Sequence, residues 1–255
     1  MREGCQREDA EDQESGTHKI SVRGAIEEPP GKAAAGRIAR PTIIWSMRVI
    51  SVNVGMPKQL PAVLTSIFKS PVEGRVGVRR HNIDGDRQSD LTVHGGPNKA
   101  VYCYPGEHYG YWKEQLPDMD LPYGAFGENL TTEGLTEGAA SIGDRFRVGS
   151  AVLRVTQPRM PCFKLGIRFG RADMVKRFWQ SGRSGIYFAV EEEGDVEAGD
   201  AIERIAEGPE EISVADVVRL YRGEEKSAEL LDRALRAPLS GSWKEELRER
   251  RGASR

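Results

Sequence analysis

Ala151-Val152-Leu153-Arg154-Val155-Thr156-Gln157-Pro158-Arg159-Met160-Pro161-Cys162-Phe163-Lys164-Leu165 joins a β-like run to a cysteine held near two prolines. Val152, Val155 and the small residues around them suit a half-buried strand, and Pro158 lacks the N–H that a central ladder needs, so the strand is predicted to end at Gln157. Pro158 and Pro161 fix φ on either side, presenting Cys162 on a stiff turn. Arg159 and Lys164 flank the thiol, and a neighbouring cation favours the thiolate, which is both a nucleophile and a soft-metal ligand. The same residue in an apolar setting would be an inert core cysteine.

Outward from this stretch, residues 47 to about 206 read as many short β-like runs. They lie at 47–54, 64–68, 75–80, 91–94, 100–104, 126–131, 142–148, 151–157, 185–190 and 201–205, with Gly, Asp-Gly and Pro between them. Short, numerous strands imply a barrel or sandwich. Two helices interrupt them. One spans 106–116 behind Pro105; the other spans 172–180, carries the Met174, Val175, Phe178 and Trp179 stripe of a core-facing helix, and stops at Gly182. After Gly208-Pro209 the pattern becomes helical. Ser213 with Asp216 forms a capping box for Val214–Tyr221, closed by Gly223; a second helix runs from Glu224 to Arg236; Ser242 with Glu245 caps a third over Trp243–Arg250. The predicted class is therefore mainly β with helices (α+β): a β-barrel over 47–208 and a three-helix appendage over 209–255. Residues 1–46 are polar, with Pro29-Pro30 and no periodicity, and read as disordered, with Met47 as a candidate true start. A mass spectrum of the natively expressed protein that retained those residues would defeat the Met47 reading.

Composition narrows the function. The formal charge is −2, so no global basic field attracts nucleic acid, and an anionic ligand needs a local cluster. The basic end at Arg248–Arg251 reads more simply as a solvated helix terminus than as a nucleic-acid contact. Three widely spaced cysteines, Cys5, Cys103 and Cys162, fit a reducing compartment and are too few for a four-cysteine iron–sulfur cluster. No apolar run approaches the roughly 20 residues of a membrane span, and no secretory or mitochondrial leader is evident, so the expected location is cytoplasmic. P-loop, dinucleotide, zinc-peptidase, nucleophile-elbow and EF-hand signatures do not occur.

Polar residues in the turns remain. Phe68-Lys69-Ser70-Pro71-Val72 offers a cation and a hydroxyl, a phosphate grip or merely an exposed lysine. In Asp84-Gly85-Asp86-Arg87-Gln88-Ser89-Asp90, Arg87 either reaches an anion or pairs with Asp86 at the surface. Thr92-Val93-His94-Gly95-Gly96-Pro97-Asn98-Lys99-Ala100 ends a strand in two glycines, which allow close backbone approach. His94 there is a proton donor or a hydrogen-bonded structural residue. Glu128 and Asn129 follow Gly127 and could bond a heterocycle edge. His18, His81 and His108 show no ligand spacing.

In this order, Lys-Ser-Pro-Val, Gly-Asp-Arg-Gln-x-Asp…His-Gly-Gly, Phe-Gly-Glu-Asn-Leu, Ile-Gly-Asp and Gln-Pro-Arg-x-Pro-Cys-x-Lys resemble the MOSC domain family, named for the C-terminal domain of molybdenum cofactor sulfurase. The resemblance covers about Met47–Glu207, and the tail from about Ile212 is similar to the three-helix (3-alpha) extension of the YiiM-like branch. It implies a β-barrel-like fold, a molybdenum–pterin cofactor and reduction of N-hydroxylated compounds such as base analogues and hydroxylamines. Carried over residue by residue, Cys162 would ligate molybdenum, and Lys69, Ser70 and Arg87 would hold the pterin phosphate. Asn129 would contact the pterin, and Arg159 lies in the cysteine turn. His94, Glu128 and Lys164 belong to the branch's motifs with less defined roles, His94 as a candidate catalytic acid.

With no flavin or nicotinamide fingerprint, electrons are expected from an external flavoprotein or ferredoxin-type donor. A second class of function fits the same cysteine: a carrier that holds the cofactor, or sulfur as a Cys162 persulfide, and delivers it once. A third reading makes the tail a docking or homodimer module.

Overall fold

The computed structural model describes residues 47–89 and 95–253, all within one compact unit. Strands β1 (Arg48–Val54), β2 (Lys58–Leu60), β3 (Val63–Thr65), β4 (Ser70–Val72), β5 (Val76–Arg79), β6 (Asn82–Ile83) and β7 (Val101–Pro105) lead to helix α1 (Glu107–Gln115). Strands β8 (Leu130–Glu133), β9 (Arg145–Val148) and β10 (Ala151–Pro158) precede helices α2 (Phe163–Phe169) and α3 (Met174–Ser181). Strands β11 (Ile186–Glu192), β12 (Gly194–Val196) and β13 (Ile202–Ala206) are followed by helices α4 (Val214–Arg222), α5 (Ala228–Arg236) and α6 (Gly241–Ala253). The predicted strand at 91–94 and the stretch 1–46 lie outside the described residues.

Eight strands form one sheet in the order β13-β9-β10-β11-β7-β8-β1-β4, antiparallel except for β7 with β8. The sheet curls back on itself. Arg48 bridges to Ala201, Val49 N–H donates to Asp200 O at 2.9 Å, and Ile202 N–H donates to Met47 O at 2.8 Å, so β1 meets the start of β13 and β4 is left outside as an edge. Pro71 therefore costs no ladder bond that a central strand would need. Pro158, opposite Ile186, is the last residue of β10, one residue later than the pattern implied.

Every residue of β7 is buried because the sheet has a core on both faces. Val101 and Cys103 point into the larger core, which also contains Leu130, Phe146 and Phe188. Tyr102 and Tyr104 point into an aromatic core with Trp112, Phe126 and Phe178. Met174 and Phe178 on the predicted stripe are buried in this second core, and Trp179 packs edge-on against Tyr221 with ring centroids 5.1 Å apart.

The tail shares the first core: Val214, Val217, Leu220, Trp243 and Leu247 are buried in it. The Ser213–Asp216 capping box and the Gly223 cap are present as predicted. The other two helices begin elsewhere. Ser227 caps α5, and α6 starts at Gly241, so Ser242 lies inside it and the Ser242–Glu245 box does not open it. Buried Asp144, from the Ile-Gly-Asp motif, accepts the N–H groups of Ser141 (2.9 Å) and Gly208 (2.7 Å) and so anchors the junction between sheet and tail. No helix among the described residues is long and apolar enough to cross a membrane.

Candidate functional site

A cleft opens where β7, β10 and β11 end against the β3–β4 connection, enclosing about 570 Å³ of atom-free space with its mouth included. It contains Cys162, Lys69, Asn129, Arg159 and Lys164 of the predicted residues, together with Asp86, Lys99, Tyr102 and Tyr187.

The cysteine turn delivers its thiol through a helix that the sequence reading missed. Cys162 is the N-cap of α2, in extended conformation (φ −123°, ψ 172°), and its carbonyl accepts Leu165 N–H at 2.9 Å. Gly170 ends α2 in the left-handed conformation (φ 61°). The thiol thus sits, half-buried, where the unpaired N–H groups of a helix start gather. Cys103 is a different case. It lies in the core, and burial pushes its thiol pKa far up, leaving it inert.

Arg159 is buried beside the thiol. Its Nη1 donates to Phe126 O, and its guanidinium carbon lies 4.7 Å from the Tyr102 ring centroid and 5.7 Å from that of Phe178. Burial alone would disfavour its charge, but the fields of Tyr102, Tyr187 and Cys162 outweigh it and hold the guanidinium pKa above its usual value.

Lys69 and Asp86 form a buried ion pair at 2.5 Å. Asp86 also accepts Gly55 N–H and Asn129 Nδ2, both at 2.9 Å, and Asn129 Oδ1 accepts Tyr102 N–H at 3.1 Å. Burial lowers the Lys69 pKa, with Asp86 opposing that shift. Asp86 is thus committed to Lys69 and Asn129, which corrects the surface pairing with Arg87 considered from sequence. On the far wall Lys164 Nζ lies 3.3 Å from Ser89 Oγ, and burial lowers the Lys99 pKa.

Ser70 and Arg87 are exposed and do not line the cleft; Ser70 sits on the edge strand β4 opposite Val54. Glu128 is fully buried behind the wall. Its carboxylate accepts Tyr109 OH, Gly124 N–H (2.8 Å), Thr131 Oγ1 (3.0 Å) and Phe126 N–H (3.1 Å). It therefore shapes the 124–128 loop, whose Phe126 carbonyl holds Arg159 and whose Gly127 lines the cleft, and it makes no contact there itself. His94 lies outside the described residues. Tyr102 and Tyr187, with ring centroids 4.9 Å apart, were not foreseen. The Tyr102-x-Tyr104 alternation could have flagged the first, whereas Tyr187 sits in an ordinary apolar strand.

A molybdenum–pterin group needs a soft ligand for the metal, cations for its phosphate and amides or hydroxyls for its heterocycle. The cleft supplies a thiol, four cationic side chains against the single carboxylate of Asp86, the amides of Gln88 and Asn129, and Ser66 Oγ, which is buried there without a hydrogen-bond partner. These residues fit the group. Among the described residues no cluster of three His, Cys, Asp or Glu could hold a metal, so the protein's own contribution to a bound molybdenum would be the sulfur of Cys162.

The chain matches the family model for the MOSC domain over residues 90–203 and that for the YiiM-like, 3-alpha helix domain over residues 212–251. It is 44% identical over 201 residues to "Uncharacterized protein YflK" of Bacillus subtilis (strain 168), covering 77% of this chain and 90% of that one. It is 38% identical over 144 residues to "Protein YiiM" of Escherichia coli (strain K12), covering 56% and 64%. A Gibberella moniliformis (strain M3125 / FGSC 7600) protein named "Reductase" is 33% identical over 191 residues, 74% of this chain but only 34% of the fungal protein. Among solved structures, YiiM from Geobacillus stearothermophilus superposes with a TM-score of 0.68 at 36% identity, covering 80% of this chain and 98% of that one. YiiM from Escherichia coli gives 0.64 at 28% identity, covering 82% and 94%. The chain belongs to the MOSC domain family. Its tail and its structural neighbours place it in the YiiM-like branch.

Proposed function

We propose that this chain is a molybdenum-cofactor-dependent reductase of N-hydroxylated compounds, hydroxylaminopurine-type base analogues and hydroxylamines, with Cys162 as the metal's protein ligand. The observation that carries this reading is the half-buried thiol of Cys162 in one cleft with Lys69, Lys99, Arg159 and Lys164 in a MOSC-family chain. When bound, the cofactor supplies the two electrons that, with two protons, convert R–NHOH to R–NH2 and water.

The chain's own residues bind and orient. Lys164 and Lys99 lie on the wall able to take an anion, because Lys69 is largely neutralised by Asp86. Arg159 is immobilised by Phe126 O and the Tyr102 face, which keeps positive charge beside the sulfur without a mobile side chain. Tyr102 and Tyr187 close the inner wall and limit water there. His94 is the proposed proton donor. His94→Gln should lower turnover and remove the alkaline limb of the pH–rate profile, where a proton donor loses its proton; an unchanged profile would remove the histidine from the mechanism.

The test is multiple turnover of 6-hydroxylaminopurine to adenine by cofactor-loaded protein with reduced viologen. A single delivery of cofactor or sulfur without turnover would instead fit the carrier reading. Electrons are proposed to come from a separate flavoprotein or ferredoxin-type donor, so NADPH alone should give no product. Turnover with NADPH and no added donor would contradict that part.

A further inference from the structure

Two segments wall the cleft on its outer side, the β2–β3 hairpin running into Ile67, and the cysteine turn with α2. They meet over one ring: Lys58 Nζ lies 5.2 Å, and the Arg168 guanidinium 5.3 Å, from the centroid of Phe68. These segments, and the residues that lead into the hairpin, expose large apolar side chains. Phe163 and Met160, on either side of Cys162, are 61% and 39% exposed, and Met56 and Leu64 on the other segment are 59% and 43% exposed. Exposed Phe, Met and Leu on two segments that meet at Phe68 are not explained by folding and mark an interaction surface.

The charge pattern says what kind. The chain carries 39 Asp and Glu, yet none lies between Met47 and Val72 or between Arg145 and Ala172, the stretches that contain both walls. Their charges are cations throughout, Lys58, Lys164 and Arg168 among them. Arg48, Lys69, Arg145, Arg154 and Arg171 pair with acids from other segments, but an apolar patch beside Lys58 and Arg168 still complements a protein face that is acidic around an apolar centre. Nucleic acid is also anionic, but the net charge of −2 gives no global attraction, and of the four exposed apolar side chains only Phe163 could stack on a base.

We propose that this rim is the docking surface for the electron-donor protein, which binds through an acidic face surrounding its redox centre. The inference rests on the proposed reductase function, which requires such a donor. A one-electron donor docks twice per turnover and is itself oxidised each time. The two electrons, with two protons from solvent, break the N–O bond, and water leaves.

The experiment uses the full chain, its Lys58→Glu variant and the Lys58→Glu/Arg168→Glu double variant; neither residue lines the cleft. The probe is an acidic [2Fe–2S] ferredoxin, with binding measured by fluorescence anisotropy and turnover measured in parallel with ferredoxin and with reduced viologen. We expect ferredoxin affinity and ferredoxin-driven kcat/KM to fall at least tenfold at low salt in the double variant, and by a smaller factor in the single one. Melting temperature should fall by only a few degrees, because both cations sit over Phe68, viologen-driven rate at a temperature where the variants are folded should be unchanged, and the parent's affinity should weaken steeply with salt. Equal ferredoxin binding by parent and variants, or no salt-sensitive binding by the parent, would overturn the proposal. So would tight binding of a short single-stranded oligonucleotide that the charge reversals abolish. Charge-dependent ferredoxin binding with no viologen-driven turnover would keep the docking surface and defeat the reductase reading.

Discussion

At the scale of single residues, the cleft is organised by buried polar groups that neutralise one another. Asp86 receives Lys69, Asn129 and Gly55 N–H, so Asp86→Ala would strand a buried ammonium and an amide. A loss of about 3–5 kcal/mol, read as a lower denaturation midpoint, is expected. Glu128 makes a different prediction, because burial raises its pKa despite the donors around it. A carboxyl whose folded pKa exceeds its unfolded value of about 4.3 contributes stability below that value and loses it as pH rises through the folded pKa. Glu128→Gln, which cannot ionise, should therefore lose less stability than the parent between pH 4 and 7; parallel pH profiles from denaturant titrations would contradict this. Turns punctuated by Pro or Gly drew attention to Cys162, Arg159, Lys164, Lys69 and Asn129, but also to Ser70 and Arg87, which do not line the cleft; the resemblance, not the turns, gave Lys69 and Asn129 their expected roles. Tyr102, Tyr187 and the Thr65–Ile67 segment were not legible in sequence, since they reach the cleft only through strand pairing and the connections between strands. The role of Asp86 was not visible either: its partner Lys69 is local neither in sequence nor in any periodic pattern.

Among the elements, the 124–128 loop is the most constrained part of the site. Gly124 has φ +87°, and a Cβ there would lie 2.9 Å from Lys69 O. Gly124→Ala thus combines backbone strain with a clash against the β3–β4 connection, which carries Lys69. It should cost roughly 1–3 kcal/mol, measured as a lowered melting temperature, with weaker retention of any bound pterin. A variant as stable as the parent would show that the loop can relax. Long strands and the amphipathic α3 and α4 were visible from periodicity and caps. Helix α2 was hidden because Pro158, Pro161 and an internal Gly166 make its seven residues read as a turn. Strands β2, β4, β6 and β12 are two or three residues long and carry no period to detect.

For the whole molecule, the shared core decides how the tail behaves. Trp243 is 3% exposed and stacks edge-on against Tyr221 at 5.2 Å, in the core that also contains Phe146 and Leu153. Trp243→Ala should cost about 3–5 kcal/mol and shift a single unfolding transition; two separated transitions in calorimetry would show that the tail unfolds on its own. The α+β class and the three-helix tail followed from the sequence, whereas the curl that joins β1 to β13 followed only from the structure. Strand pairing and the connections between strands gather a thiol, cations and amides into one cleft, and the central claim is that the cleft holds molybdenum through Cys162. The direct measurement is molybdenum and pterin per chain, on protein purified without air from cells that make the cofactor, beside Cys162→Ala. Near-stoichiometric metal and pterin in the parent, with the metal lost from the variant, is the predicted result. Absence of both from the parent would contradict the claim.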